Sequence, residues 1–303
     1  MTKNIQAGTV VVAVDGSEDS ERAIHWAAEQ ARLERRPLTV VTATGVPTVP
    51  TAAWSTYAPG YTLQPDELLE GAQAVADGAL EIAKKLLPGA ESHAVALLGD
   101  ARQVLVDVSR EAHLLVLGSR GHGPLRSKLL GSVSAAVSRD SLCPTVVCRP
   151  PRKHEDSGKG VLVGADGTAE SLPVIDFAFQ QASLRGLPLT VLHAAWDEIG
   201  AFHGPGLTPP TDHAYEQQRL LLGESVAGFA STYPEVEVDL LPARGLAEDC
   251  LGSGSARWDL IVVGRHPVDT VLRLLTGAVA TAVVEHAHTN VAVVPQAEPA
   301  DGS

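Results

Sequence analysis

The sequence predicts an α/β fold made of two tandem, doubly wound Rossmann-like domains. The first observation is the length of 303 residues, which is more than one hydrophobic core supports and corresponds to about two domains. The second is an internal repeat, in which VVVAVDGSEDS at residues 10–20 recurs as VLVGADGTAES at residues 161–171. The third is a regular alternation of strand-like and helix-like segments, which favours right-handed crossovers and parallel strands.

The repeat extends through most of both halves. QARLERRPLTVVTA at residues 30–43 recurs as QASLRGLPLTVLHA at residues 181–194, at an offset of 151 residues. Further on, HLLVLGSR at residues 113–120 matches DLIVVGRH at residues 259–266, at an offset of 146 residues. The second copy is therefore five residues shorter, and the loss falls in the loop between its second and third strands.

The repeat sets the predicted domain limits. We predict one domain at residues 1–150 and a second at residues 160–303. The segment between them, residues 151–159, begins with proline and is rich in charged residues, as expected for a linker.

The elements of the first copy follow from its periodicity. A continuous β-branched run predicts a strand buried on both faces at residues 9–14. Four further strands are predicted at residues 38–44, 92–98, 114–118 and 145–149. Ser17 is the expected N-cap of the first helix, which has Ile24, Ala27 and Ala31 at the spacing of one face. Further helices are predicted at residues 66–87, at residues 101–112 and from about residue 132.

Charge and composition exclude several classes of protein. Hydrophobic residues make up 45% of the chain and charged residues 19%, which excludes a disordered chain. The net charge is -13, with 14 Lys+Arg against 16 Asp+Glu in residues 1–150 and 9 against 20 in residues 151–303, which argues against nucleic-acid binding. No apolar run is long enough for a membrane span and no signal peptide is evident, so we expect a cytoplasmic protein.

Three cysteines agree with a reducing compartment. We expect Cys143 and Cys148 to lie on one strand and to be too far apart to pair. The last strands of the two copies, residues 145–148 and 290–294, are short and apolar. Because such edges need to be covered, we predict that these two runs pair antiparallel within the chain.

Ligand sites in open α/β sheets lie at the carboxyl ends of the strands. The first strand ends in Val14-Asp15-Gly16-Ser17, and an acidic residue there can accept hydrogen bonds from a ribose hydroxyl or an adenine amine. The same residues also suit a simple turn and helix cap, so the motif alone leaves both interpretations open.

The end of the fourth strand is more specific. Gly118-Ser119-Arg120-Gly121 is followed, after nine further residues, by Gly131-Ser132 at the start of a helix. Glycines allow the backbone to approach a phosphate closely, and a helix N-terminus favours an anion. The basic residues of this loop can neutralise phosphate charge, namely Arg120, His122, Arg126 and Lys128.

These motifs and the repeat length resemble a tandem universal stress protein of the nucleotide-binding branch. The resemblance implies five parallel strands per domain in the order 3-2-1-4-5, with ATP, accompanied by Mg, across the ends of strands one and four. It implies nucleotide contacts by Asp15, Gly16, Ser17, Val41, Gly118, Ser119, Arg120, Gly121, Gly131, Ser132 and Val133.

The second copy departs from this pattern. Asp166 and Gly264 match Asp15 and Gly118. At the positions of Gly121 and Ser132, however, the second copy has Pro267 and Ala278, and so loses an N–H donor and a hydroxyl. We therefore expect the second site to be impaired.

Two functions are consistent with these residues. One is an ATP-binding regulatory protein of the stress response that acts as a nucleotide-dependent switch and forms a homodimer through edge strands, with at most slow hydrolysis or autophosphorylation at Ser132 or Ser134. The alternative is a genuine ATPase or ATP-dependent transferase of the related pyrophosphatase-like fold, since VDGSEDS resembles the SGGxDS loop of that fold. His286 and His288 suit a helix C-terminus better than a metal site.

Overall fold

The computed structural model describes residues 5–45, 64–121, 130–150, 158, 160–195, 206–207, 213–265 and 273–297. The chain forms two compact units, of which the first comprises Met1–Ser127 and Gly131–Val137 and the second comprises Lys128–Leu130 and Ser138–Ser303. The last strand of the first sequence copy is thus grouped with the second unit. The domain limits drawn from the repeat stay a prediction.

The first unit contains a parallel sheet whose four strands are β1 Val10–Ala13, β2 Leu38–Thr44, β3 Ser92–Leu98 and β4 Leu114–Gly118. Its helices are α1 Glu18–Glu34, α2 Pro65–Leu86, α3 Ala101–Val108 and the start of α4 Ser132–Asp140. The strand order is β3-β2-β1-β4, as predicted. Val12 pairs with Val40 on one side and with Val116 on the other, which places β1 between β2 and β4.

Local sequence explains how α1 begins and which face it buries. The Ser17 side chain accepts a hydrogen bond from Ser20 N–H, so Ser17 is the N-cap that the sequence predicts. The small apolar residues of its buried face, including Ala27 and Ala31, let the helix pack closely on β4 and β1. Gly16 precedes the cap at φ +84°, a left-handed conformation that favours glycine.

The second unit repeats the architecture. Its strands are β5 Thr145–Cys148, β6 Val161–Gly164, β7 Leu189–Ala195, β8 Gly206–Leu207, β9 Val238–Arg244, β10 Leu260–Arg265 and β11 Asn290–Pro295. Its further helices are α5 Leu172–Arg185, α6 His213–Thr232, α7 Ala247–Gly252 and α8 Arg273–His286. The parallel strands run in the order β9-β7-β6-β10-β11, which is the predicted order 3-2-1-4-5. The α/β class with tandem Rossmann-like architecture is confirmed.

The antiparallel pairing of the two terminal strands is also confirmed. β5 lies beside β11, with Val147 opposite Val291 and Val146 opposite Ala292. All four side chains are fully buried. The pairing satisfies backbone groups that each strand would otherwise expose at an edge.

Two smaller predictions can be compared with the structure. Cys143 does not lie on a strand with Cys148, because β5 begins only at Thr145, and this part of the prediction is wrong. Both are buried and neither forms a disulfide, so the conclusion that they do not pair with each other holds. Among the described residues, no helix has the length and apolar character needed to cross a membrane.

Candidate functional site

The parallel pairing of β1 with β4 brings two predicted motifs to one edge of the first unit. Asp15 follows β1 and Gly121 follows β4. A Cβ built on Gly121 would overlap Asp15 Oδ2, so the glycine leaves room for the carboxylate. The two motifs predicted from separate parts of the sequence therefore lie in contact.

The Asp15 carboxylate is oriented by its own turn. Asp15 Oδ1 accepts a hydrogen bond from Ser17 N–H at 3.0 Å, and the side chain is exposed. The Ser17 hydroxyl donates to Arg120 O at 3.4 Å, which joins the β1–α1 turn to the segment after β4. Asp15, Gly16 and Ser17 thus form one wall of a cleft at the carboxyl end of the sheet.

A mostly buried carboxylate that the sequence analysis missed, Asp19, positions the segment after β4. Asp19 accepts a hydrogen bond from the Ser119 hydroxyl at 2.7 Å and forms an ion pair with Arg22. Arg120 Nε lies 3.7 Å from Asp19 Oδ2. Ser119 is fully buried. Its hydroxyl is engaged by Asp19 and positions the loop, and its predicted contact with the nucleotide stays a prediction.

Gly118 has a structural reason to be glycine that differs from the predicted one. A Cβ at this position would lie 2.6 Å from the carbonyl carbon of Asp19 and 2.7 Å from its carbonyl oxygen. The close approach is therefore to the first turn of α1. Replacing Gly118 by alanine is therefore expected to disturb the packing of α1 on β4.

The phosphate-loop prediction centres on the start of α4. Gly131 N–H donates to Ser119 O at 2.8 Å, and Ser132, the first helical residue, is exposed. The first N–H groups of a helix, here those of Ser132 and Val133, have no intrahelical acceptor and favour an anion. This helix start lies beside the segment after β4, because a Cβ on Gly131 would be 3.4 Å from Arg120 Cα.

Val41 is fully buried in β2, and its carbonyl accepts a hydrogen bond from Val14 N–H at 2.9 Å. That carbonyl oxygen therefore takes part in the pairing of β1 with β2. The predicted nucleotide contact of Val41 stays a prediction, and β2 becomes less buried only from Ala43 onward.

A groove of about 410 Å³ opens beside the β1–α1 turn, between α1 and α2. Its walls are mainly small or apolar, and Glu18 and Glu21 stand at its rim. It is lined by Val14, Gly16, Ser17, Glu18, Ser20, Glu21, Ile24, Ala74, Val75, Gly78, Ala79 and Ile82.

The remaining basic residues of the predicted phosphate loop, His122, Arg126 and Lys128, lie outside the described residues. In the described part of the chain, no group of three or more His, Cys, Asp or Glu side chains could hold a metal ion. His286 Nδ1 lies 2.8 Å from Ala282 O, one turn earlier in α8, as expected for a helix-end histidine.

The corresponding turn of the second unit is occupied by side chains of the chain itself. Asp166 Oδ1 accepts hydrogen bonds from Thr168 N–H at 2.9 Å and from the Thr168 hydroxyl at 2.7 Å. Gln296 Nε2 donates to Asp166 Oδ2 at 3.3 Å. Burial acts to raise the Asp166 pKa, but hydrogen bonds from Thr168, Ser171 and Gln296 outweigh it and lower the pKa. Both carboxylate oxygens of Asp166 thus accept hydrogen bonds from other residues of the chain.

Gln296 also lies against Gly264, where a Cβ would be 2.9 Å from Gln296 Nε2. The residue is fixed by backbone bonds, since Gln296 N–H donates to Arg265 O at 2.9 Å and Ala297 N–H donates to Glu170 O at 3.0 Å. The sequence analysis missed Gln296, because no neighbouring residue indicates that its side chain reaches Asp166, 130 positions away in the chain.

Leu221 of α6 covers the turn as well. A Cβ on Gly167 would overlap Leu221 Cδ2. When β9 is aligned with β3 residue by residue, Leu221 takes the position of Val75, which lines the groove of the first unit. A larger side chain therefore stands in the second unit at the position where Val75 lines the groove of the first unit.

An impaired second site is predicted from the residues that replace Gly121 and Ser132 in the second copy. The structure describes these residues only in part. Pro267 lies outside the described residues. Ala278 lies in α8, but its side chain is not among those described. The closure by Gln296 and Leu221 is an independent observation that points to the same conclusion.

The fold and this site define a class of protein: a tandem α/β protein with a candidate ligand site at the carboxyl ends of two neighbouring parallel strands. The chain belongs to the universal stress protein family, whose family model matches residues 7–149 and 159–295. Both sequence copies are thus covered by the same family description.

Known proteins agree with this membership. A universal stress protein of Mycobacterium tuberculosis is 34% identical over 312 residues, covering 98% of this chain and 100% of that protein. The crystal structure of a universal stress protein from Archaeoglobus fulgidus has a TM-score of 0.69 at 16% identity, over 97% of this chain and 98% of that one, which shows the shared fold. Another Archaeoglobus fulgidus universal stress protein, in complex with dAMP, is 26% identical over 47% of this chain and 98% of that chain, with a TM-score of 0.34.

Proposed function

We propose that this protein is an ATP-binding regulatory protein of the stress response, in which the bound nucleotide acts as a switch. The observation that carries the proposal is the contact between Asp15 and Gly121 beside the exposed start of α4. A carboxylate can accept hydrogen bonds from the ribose or the base, and a helix N-terminus can hold phosphate. The first unit offers both at one edge of its sheet.

Each residue has a defined part in this proposal. Asp15, oriented by Ser17 N–H, accepts from the nucleoside, and Gly121 leaves room for its carboxylate. The Ser132 hydroxyl and the N–H groups of Ser132 and Val133 donate to phosphate oxygens. Mg²⁺ would neutralise part of the phosphate charge and would be held mainly by the phosphates, because the described residues offer no cluster of three or more metal-ligating side chains.

We propose that phosphoryl transfer is at most slow. The Ser134 hydroxyl is buried and donates to Gly118 O at 2.7 Å, whereas Ser132 is exposed. Ser132 is therefore the better acceptor for autophosphorylation. Sustained hydrolysis at about 1 to 1000 per second would instead support the alternative ATPase or transferase.

We expect one ATP to bind per chain, because in the turn of the second unit Gln296 donates to Asp166 and Leu221 lies against Gly167. Calorimetric titration of the full chain measures the stoichiometry, and mass spectrometry of nucleotide released from the purified protein identifies the ligand. Two equivalent sites per chain would contradict the closure of the second turn, and the absence of any nucleotide binding would contradict the proposed function.

Asp15→Ala is expected to weaken ATP binding about 5- to 150-fold, the effect of losing a hydrogen-bond acceptor worth about 1 to 3 kcal/mol. Asp166→Ala is the matched control, because Asp166 occupies the same turn in the second unit and is bonded to Thr168 and Gln296. We expect this control to leave the affinity unchanged. Equal losses from both substitutions would refute the assignment of the site to the first unit.

We also propose a cytoplasmic homodimer that associates through edge strands other than β3, whose outer edge is bonded by the Gln73 side chain, in addition to the pairing of β5 with β11 within the chain. Light scattering on the purified protein measures its mass. A mass equal to one chain at micromolar concentration would contradict the dimer.

A further inference from the structure

A side chain forms hydrogen bonds with the outer edge of β3. β3 is the terminal strand of the order β3-β2-β1-β4, and within the described residues no other strand lies on its far side. Its sequence, SHAVALL, carries no Asp, Glu, Lys, Arg or Pro. An apolar edge strand of this kind can pair with another chain unless something blocks it.

Two hydrogen bonds identify the outward backbone groups of β3. Leu38 N–H donates to Glu91 O at 3.0 Å, and Gly99 N–H donates to Thr44 O at 2.8 Å, so the backbone of odd-numbered residues faces β2. Because backbone groups alternate along a strand, those of Ala94 and Ala96 face outward.

The Gln73 side chain of α2 bonds to both of these outward residues. Gln73 Oε1 accepts from Ala96 N–H at 3.0 Å, and Gln73 Nε2 lies 3.5 Å from Ala94 O. In a parallel sheet, a residue that lies opposite residue i of the neighbouring strand forms two hydrogen bonds with that strand. Its N–H donates to the carbonyl of residue i-1, and its carbonyl accepts from the N–H of residue i+1. The Gln73 amide reproduces this pattern around Val95. Asp77, one helical turn later, accepts from Gln73 Nε2 at 2.9 Å and orients the amide.

We propose that Gln73 closes the outer edge of β3 against strand addition, and that the partner it excludes is β3 of a second copy of this chain. Two copies of one uncharged strand can pair antiparallel about a two-fold axis, because such an interface presents the same residues from both sides. The second unit covers the equivalent edge differently, since β8 pairs antiparallel with β9 at Ala243 and Arg244.

The test replaces Gln73 by methionine, which keeps the length of the side chain but removes its amide. We expect Gln73→Met to raise the association constant between chains at least tenfold over the parent, as measured by sedimentation equilibrium. Hydrogen exchange at high concentration is expected to show new protection at residues 94–98. At low concentration the Ala96 N–H is expected to exchange at least tenfold faster than in the parent.

Gln103→Met is the matched control. Gln103 Nε2 donates to Asp107 Oδ1 at 3.3 Å on the exposed face of α3, so the control loses the same kind of Gln–Asp pair one turn apart. The proposal would be overturned if Gln73→Met and Gln103→Met had equal association constants and equal Ala96 exchange rates. It would also be overturned if the new association protected residues outside β3. Gln73→Ala provides a second variant, and its Ala96 exchange rate tests the hydrogen bond at low concentration.

Discussion

Gly118→Ala is expected to destabilise the protein by about 3 kcal/mol, the upper part of the range for overpacking a well-packed site. The new Cβ would lie 2.6 to 2.8 Å from the carbonyl carbon, carbonyl oxygen and Cβ of Asp19. Because two of these atoms belong to the backbone of α1, no side-chain rotation relieves the overlap. Urea unfolding followed by circular dichroism measures the loss.

Gly71→Ala is a suitable control for this experiment. A Cβ on Gly71 meets nothing within 4 Å, and the residue lies inside α2. Alanine there is expected to stabilise the helix by about 0.5 to 1 kcal/mol. If Gly118→Ala kept the parent's stability but lost ATP affinity, Gly118 would contact the ligand, as the sequence pattern predicts.

Val147→Asp is expected to have the second large effect, a loss of about 3 to 5 kcal/mol, the range for an uncompensated buried charge. Val147 is fully buried in β5 and faces Val291 of β11. In the pairing of these two strands, no cationic side chain lies opposite the introduced carboxylate. Thermal unfolding measures the loss, and binding of an apolar dye reports the surface that becomes exposed.

Val147→Ala separates the charge from the lost packing, since it removes two methyl groups and is expected to cost about 2 kcal/mol. Burial raises the pKa of the introduced carboxyl above its unfolded value. The folded state therefore binds the proton more tightly, and the extra destabilisation relative to Val147→Ala is expected to grow as the pH rises. Equal stability of the two variants at pH 5 and pH 8 would show that β5 and β11 do not bury this position.

The elements of the fold were largely predictable because their signals are local. The limits of β2, β3 and β4 agree with the runs predicted at residues 38–44, 92–98 and 114–118. The predicted helix at 101–112 is shorter in the structure, since α3 ends at Val108 and the Ser109 hydroxyl donates to Val106 O. A serine that bonds its own backbone competes with helix continuation, an effect that apolar spacing does not register.

The site was predictable in its motifs and less so in its contacts. Asp15 and Gly121 could be assigned separately, because each follows a strand and has a recognisable spacing. The Asp19 network and the reason for Gly118 required the packing of α1 against the end of β4. Both depend on residues about 100 positions apart in the chain.

The sequence by itself determined the repeat and the alternation of strands and helices, and its resemblance to the universal stress proteins implied the family and the order of the strands. It also predicted the position of the candidate nucleotide site. Repetition, hydrophobic period and glycine spacing are properties of neighbouring residues, so they can be read along the chain. Only the tertiary structure decided which side chains fill a cleft or cover an edge. Gln296 bonds to Asp166 across 130 residues, and Gln73 reaches β3 from α2. Such contacts depend on where the fold places distant segments, and a single sequence carries no local signal for them.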